Sequence, residues 1–135
     1  MSKSPNRLVA AIFGAVYTLV GLAGFLVTGG VPFASQEGEL LLGFEVNPLH
    51  NIVHLVIGIA LLLASRTVGG ARSANLAVGA VYLLVGILGL FIIDTEANIL
   101  ALNGADNVLH FGTAIILLGV ALGADRDRAR TARTA

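Results

Sequence analysis

Apolar residues run in four long blocks along the chain, at 8–28, 48–65, 75–93 and 105–124, separated by polar or glycine-bearing segments. At 1.5 Å rise per residue, blocks of roughly 18 to 21 residues make helices of about 27 to 31 Å, which matches a hydrocarbon core of about 30 Å. The pattern predicts an all-α integral membrane four-helix bundle, one transmembrane domain over 1–135. The segment between the first two blocks, 29–47, carries Pro32, Gly38 and Gly43 and reads as a loop. Gly29-Gly30 and Gly69-Gly70 read as turn signals in the connections; no nucleotide-type helix start follows them.

The pattern repeats. Gly14-Ala-Val-Tyr17-Thr-Leu-Val-Gly21-Leu-Ala-Gly24 returns as Gly79-Ala-Val-Tyr82-Leu-Leu-Val-Gly86-Ile-Leu-Gly89, with eight identities in eleven positions. Asn47-Pro-Leu-His50-Asn51-Ile-Val-His54 returns as Asn103-Gly-Ala-Asp106-Asn107-Val-Leu-His110. The first pair is offset by 65 residues and the second by 56, so the connection inside the first half is nine residues longer. The chain therefore reads as two tandem two-helix hairpin repeats, about 8–65 and 75–124. Because each repeat crosses twice, the second starts with the orientation of the first, and the repeats are parallel about an axis along the membrane normal.

The glycines and tyrosines of the first motif, at positions 14, 17, 21 and 24 and again at 79, 82, 86 and 89, recur every three or four residues and share a helix face. Small residues on one stripe let helix backbones approach closely, so these are read as packing surfaces. The Tyr17 and Tyr82 hydroxyls, inside the membrane, need hydrogen-bond partners, for which Ser65, Thr113 or a backbone carbonyl would serve.

Composition sharpens the membrane reading. The chain is 56% hydrophobic and 12% charged with a mean hydropathy of +0.90, whereas about a quarter of a soluble domain is charged. There is no room for a soluble catalytic domain. Lys3 and Arg7 before the first block imitate a secretory signal, but the block is too long, no small-x-small cleavage site follows it, and its repeat partner lies mid-chain. The absence of cysteine removes disulfides, thiolate catalysis and cysteine-held metals. All eight basic residues (Lys3, Arg7, Arg66, Arg72, Arg126, Arg128, Arg130, Arg133) fall on one side of the predicted spans, while Glu37, Glu39, Glu45, Asp94, Glu96 and Asp106 fall on the other. The positive-inside rule then places both termini in the cytoplasm and both longer loops outside. The basic C-terminal tail is read as a topology signal with a solvated end that favours anionic lipid, and not as a nucleic-acid site.

The second motif carries the candidate chemistry. Asn47-Pro48 has the form of a helix start, with Asn as N-cap and Pro in the first turn; Asn103 or Asp106 would start the fourth span. Positions 47, 50, 51, 54 and 58 fall within roughly a 100° arc, as do 103, 106, 107, 110 and 114. His54 and His110 come about 9 Å inside their helix starts, at equal depth. The plain reading of Asn47, Asn51, Asn103 and Asn107 with the histidines is a polar cluster that satisfies helix-end N–H groups and ties down the outer loops. Three further readings use the same residues. His54 and His110 would ligate a b-type haem; His50, His54, His110 and Asp106 would hold a divalent metal; or the groups would serve a small-molecule or proton-linked transport path. The cytoplasmic halves of the spans are nearly apolar, so such a path requires an oligomer.

Gly-Ala-Val-Tyr-x-Leu-Val-Gly in the first span, His50-Asn51-Ile-Val-His54 in the second and Asp106-Asn107-Val-Leu-His110 in the fourth resemble a bacterial family of four-helix membrane proteins classed as domain of unknown function 4383. The resemblance extends from about Arg7 to Gly123 and implies a small four-span protein of the bacterial inner membrane, both termini cytoplasmic, without a settled activity. No catalytic signature is present. The expectation is a non-enzymatic structural or accessory protein in the lipid bilayer, which binds a second copy or another membrane protein.

Overall fold

A computed structural model describes residues 4–125. Lys3, Arg126, Arg128, Arg130, Arg133 and the tail reading attached to them lie outside the described residues. The elements are α1 (Pro5–Val27), β1 (Glu39–Leu41), β2 (Phe44–Val46), α2 (Pro48–Ala64), α3 (Val68–Ile92) and α4 (Gly104–Gly123). Helices α1, α3 and α4 are long and apolar enough to cross a membrane. With 17 residues, α2 is the shortest, at roughly 26 Å.

Each helix begins where a short polar side chain accepts an amide of the first turn: Ser4 from Arg7 N–H (3.3 Å), Asn47 from His50 N–H (2.8 Å), Thr67 from Gly70 N–H (3.0 Å) and Asn103 from Asp106 N–H (3.0 Å). Pro5 and Pro48 occupy first-turn positions, where the missing N–H has no intrahelical use. The Thr67 cap corrects the sequence reading: α3 starts at Val68 and not near 75, and Gly69 and Gly70 are in its first turn instead of in a connection. Ser65, Arg66 and Thr67 alone join α2 to α3.

The connection from α1 to α2 holds a β-hairpin. Strands β1 and β2 pair antiparallel with Leu41 opposite Phe44. Leu42 and Gly43 turn the chain with φ of +56° and +93°, the left-handed pair that suits right-twisted strands.

Helix α1 lies chiefly along α2, and α3 along α4, with thinner contacts between the two pairs. In α1 the buried residues are Asn6, Ala10, Gly14, Tyr17, Gly21 and Gly24; in α3 they are Ala71, Asn75, Gly79, Tyr82, Gly86 and Gly89, each 65 positions on. His50, Asn51, His54, Gly58 and Leu61 of α2 are matched 56 positions on by buried Asp106, Asn107, His110, Ala114 and Leu117 of α4. Glycine permits the approach within each pair. A Cβ on Gly14 would stand 2.9 Å from the Gly58 carbonyl, and one on Gly24 or Gly89 would overlap the carboxamide of Asn51 or Asn107.

Burial is inverted relative to a water-soluble domain. Glycine, alanine, asparagine, histidine and tyrosine fill the interior, while Leu8, Leu19, Leu26, Leu90, Phe91, Val108 and Ile115 are 62 to 87% exposed. So large an apolar surface has lipid or protein as its natural neighbour.

At the end away from the β-hairpin, the start of α1 meets the end of α4. Ser4 Oγ donates to Asp125 Oδ2 (2.6 Å), and the Asn6 side chain donates to the carbonyls of Val120 (3.3 Å) and Ala124 (3.2 Å). Asn75 Nδ2 donates to Asn6 O (3.0 Å) and Oδ1 (3.1 Å), joining the two pairs. Arg7 Nε donates to Ser65 O and Arg72 Nε to Ala121 O, both at 2.8 Å, so each pair closes one helix C-terminus with an arginine.

Candidate functional site

At the β-hairpin end, the stripes of all four helices bring rings to one level. Tyr17 stacks on Tyr82 (centroids 5.3 Å apart, planes 7°) and on His54 (5.3 Å, 12°). His110 meets Tyr82 edge-on (5.1 Å, 62°), and His50 contacts both other imidazoles, His54 at 4.5 Å and His110 at 6.3 Å. None of the five is more than 4% exposed. They are buried because positions 17 and 82 lie on the glycine faces, and 50, 54 and 110 on the facing polar stripes.

Strand β2 anchors the edge of this layer through one residue. Glu45 donates its N–H to Asp106 Oδ2 (3.1 Å), accepts at its carbonyl from His50 Nδ1 (3.2 Å), and accepts at Oε1 from Gly38 N–H (2.7 Å). A carbonyl only accepts, so His50 carries its proton on Nδ1. Asp106 Oδ2 also takes the Asn103 N–H (2.9 Å), completing a capping box with the Asn103 cap. The caps reach outward as well: Asn47 Nδ2 donates to Ser35 O (2.8 Å) and Ile99 O (2.9 Å), and Asn103 Nδ2 to Gly43 O (3.1 Å). Asn98 ties its own turn, donating to Ile93 O and Leu102 O and accepting from Leu102 N–H. Asn51 donates to Thr28 Oγ1 (3.0 Å), which in turn donates to Gly24 O (3.0 Å).

Thr113 meets the Tyr17 hydroxyl at 2.7 Å. The matching hydroxyl, Tyr82 Oη, has no hydrogen-bond partner among the described residues, nor do Nδ1 of His54 and His110 or Oδ1 of Asn51 and Asn107. Each unanswered buried group costs about 1–3 kcal/mol. Residue replacement between the halves explains one of these gaps, that of Tyr82. Where Thr113 faces Tyr17, the position 56 earlier is Ile57. An isoleucine offers no hydroxyl.

Two cavities share His54. One, of about 30 Å³, is bordered by His54, Tyr82 and His110, which contribute three of the unanswered groups. A space of that size suits a water molecule, whereas cofactor pockets are on the order of 300 Å³ or more. The haem expectation for His54 and His110 thus meets tightly packed rings, among them His50. The other cavity, about 390 Å³, lies between α1 and α4 against the β-hairpin; its walls are mainly apolar, with Tyr17, His54 and Thr113 among them. Among the described residues, no group of three or more His, Cys, Asp or Glu is placed to hold a metal ion. Of the four candidate ligands, His50, His54 and His110 come together as rings, while Asp106 is turned to the backbone amides of Asn103 and Glu45.

Several residues that hold this arrangement escaped the sequence reading. Asn6 and Asn75 prolong the glycine stripes by eight and four residues, and extending the stripe would have found them. Arg7 and Arg72 registered only as charge. Glu45 acts largely through its backbone, which no side-chain pattern announces.

The family model described as Domain of unknown function (DUF4383) matches residues 7–123. No curated protein and no solved structure matches the chain.

Proposed function

The chain belongs to this family of unknown function, and from that premise we propose a non-catalytic, four-span accessory protein of the bacterial plasma membrane. It is built from two parallel helix-pair repeats with both termini in the cytoplasm. Its buried Asn/His/Asp/Tyr layer, at the extracytoplasmic end, locks the two pairs together and holds the outer connections in shape for a membrane-protein partner or a second copy. The observation that carries the reading is the constant register of burial: the α1 stripe recurs in α3 at 65 and the α2 stripe in α4 at 56. The matched arginine bonds, Arg7 to Ser65 O and Arg72 to Ala121 O, keep the same two offsets. Orientation rests on charge. Arg66 and Arg72 lie at the end where Ser4 meets Asp125, and Glu37, Glu39, Asp94 and Glu96 lie in the connections at the other.

The haem and metal readings find no comparable support in the packing around His54, His110 and Asp106. A transport path remains a reading for an oligomer only.

The chain has no cysteine, so single cysteines can be placed on a silent background. Glu39→Cys and Glu96→Cys, at exposed positions, are expected to react with a membrane-impermeant maleimide in intact cells, and Arg66→Cys only after lysis. Labelling of Arg66→Cys from outside, or of the three positions alike, overturns the proposed orientation.

A further inference from the structure

The two helix pairs treat their equivalent seams differently. Tyr17, His54 and Thr113 line the cavity of about 390 Å³ between α1 and α4. Tyr82, His110 and Ile57, the residues in matching register, line the cavity of about 30 Å³ between α2 and α3. Two differences separate the seams. The longer first connection forms the β-hairpin and contributes Leu41, Leu42 and Phe44 as walls of the larger cavity, and Thr113 puts a hydroxyl where the closed seam has a methyl-bearing chain.

We propose that the α1/α4 cavity binds a neutral, lipid-dissolved molecule with a planar carbonyl-bearing ring, of the quinone class, its ring against Phe13, Tyr17 and Phe44 and its carbonyl at Tyr17, Thr113 and His54. The comparison of seams rests on the two-pair reading; the chemistry of the cavity does not. Its volume falls in the range of about 300–1,000 Å³ typical of small-molecule sites. Tyr17 and Thr113 share one hydrogen bond, which uses one of their two hydroxyl protons and leaves the other for an acceptor. A neutral imidazole at His54 adds one donor and one acceptor, and its Nδ1 is otherwise unanswered. No Lys or Arg lines the cavity, so a phosphate or carboxylate head would find no counter-charge, and Asp106 on the wall would oppose it. Three aromatic walls favour a flat ring over a bare alkyl chain. Ile12 and Val16, on the rim, are 51% and 47% exposed and open the cavity toward lipid.

The chain carries its own reporter, because it has two tyrosines and no tryptophan: its intrinsic emission comes from Tyr17 and Tyr82, and quinones quench tyrosine. Decylubiquinone titrated into the full chain in maltoside detergent is expected to give saturable quenching at one molecule per chain. Thr113→Ile, which copies the closed seam, should weaken it at least about tenfold, the loss expected for one hydrogen-bonding group. Val16→Phe, an exposed rim position that leaves the buried stripes intact, should weaken it too, and carries the test if Thr113→Ile does not fold. Ile57→Thr, at the other seam, should leave the affinity within twofold. Quenching that never saturates, or that is equal in all four proteins, overturns the proposal. So does displacement of the quinone by dioleoylphosphatidylcholine as readily as by a second quinone, which would make the cavity an acyl-chain groove. Maleimide labelling reports the two-pair topology independently, so either result can fail without the other.

Discussion

Gly24 and Gly89 are where a single methyl group has least room, since it would overlap a buried carboxamide. Overpacking of this kind costs about 1–3 kcal/mol. Gly24→Ala is therefore expected to lower the midpoint of thermal unfolding in detergent, and adding Asn51→Ala should restore part of the loss by removing the group struck; a double mutant no better than Gly24→Ala would locate the damage elsewhere. The tyrosine hydroxyls give a second measurement of the same kind. Thr113→Val removes the partner of a buried Tyr17 and should destabilise by about 1–3 kcal/mol, whereas Ile57→Thr offers Tyr82 the partner it lacks and should stabilise by about 1 kcal/mol. Equal melting of wild type and Thr113→Val would show that the 2.7 Å contact contributes nothing. At this scale the glycine positions were legible, because small residues at three- and four-residue spacing have a definite consequence for helix approach. Which hydroxyl would be answered was not: Ser65 and Thr113 were equal choices in sequence. Only the packing shows Ser65 spent on the Leu62 carbonyl and Thr113 turned inward.

Among the elements, the helices were legible and the β-hairpin was not. Its strands are three residues each, too short for an alternating pattern, and its turn is Leu42-Gly43, without the Asn-Gly or Asp-Gly signal. Leu42 at φ +56° is a branched residue in the left-handed region, which costs about 1–2 kcal/mol, and its side chain is 88% exposed. Asparagine tolerates that region better. Leu42→Asn should accordingly slow amide hydrogen exchange across Leu41–Phe44; faster exchange would mean that the apolar contact of Leu42 with lipid or the cavity mouth outweighs the strain. The early start of α3 was hidden for a different reason. Glycine is a poor helix former on average, but Gly69 and Gly70 sit in a first turn, where the Thr67 cap does the fixing. The starts of α2 and α4 were readable because Asn47 and Asn103 each stand just before a polar stripe and each accept an amide three residues on.

For the whole molecule, the apolar pattern was enough to indicate helices fit for a membrane, and the charge asymmetry underlies the proposed orientation. The unequal seams were beyond the sequence, since cavity volume depends on how the β-hairpin lies against α1 and α4. Ser4 and Asp125 hydrogen-bond at 2.6 Å, and Ser65, which ends α2, is bound by Arg7 at that same end. The described chain is thus close to a ring, interrupted between Asp125 and Ser4 and bridged by three residues between α2 and α3. A circular permutant of the described residues that opens the bridge and joins Asp125 to Ser4 through a short linker would be made with α3 and α4 first. Its contacts and its sidedness should be unchanged, as read by melting and by maleimide labelling. Order of synthesis would then be immaterial to this architecture, with either helix pair able to enter the membrane first and wait for the other.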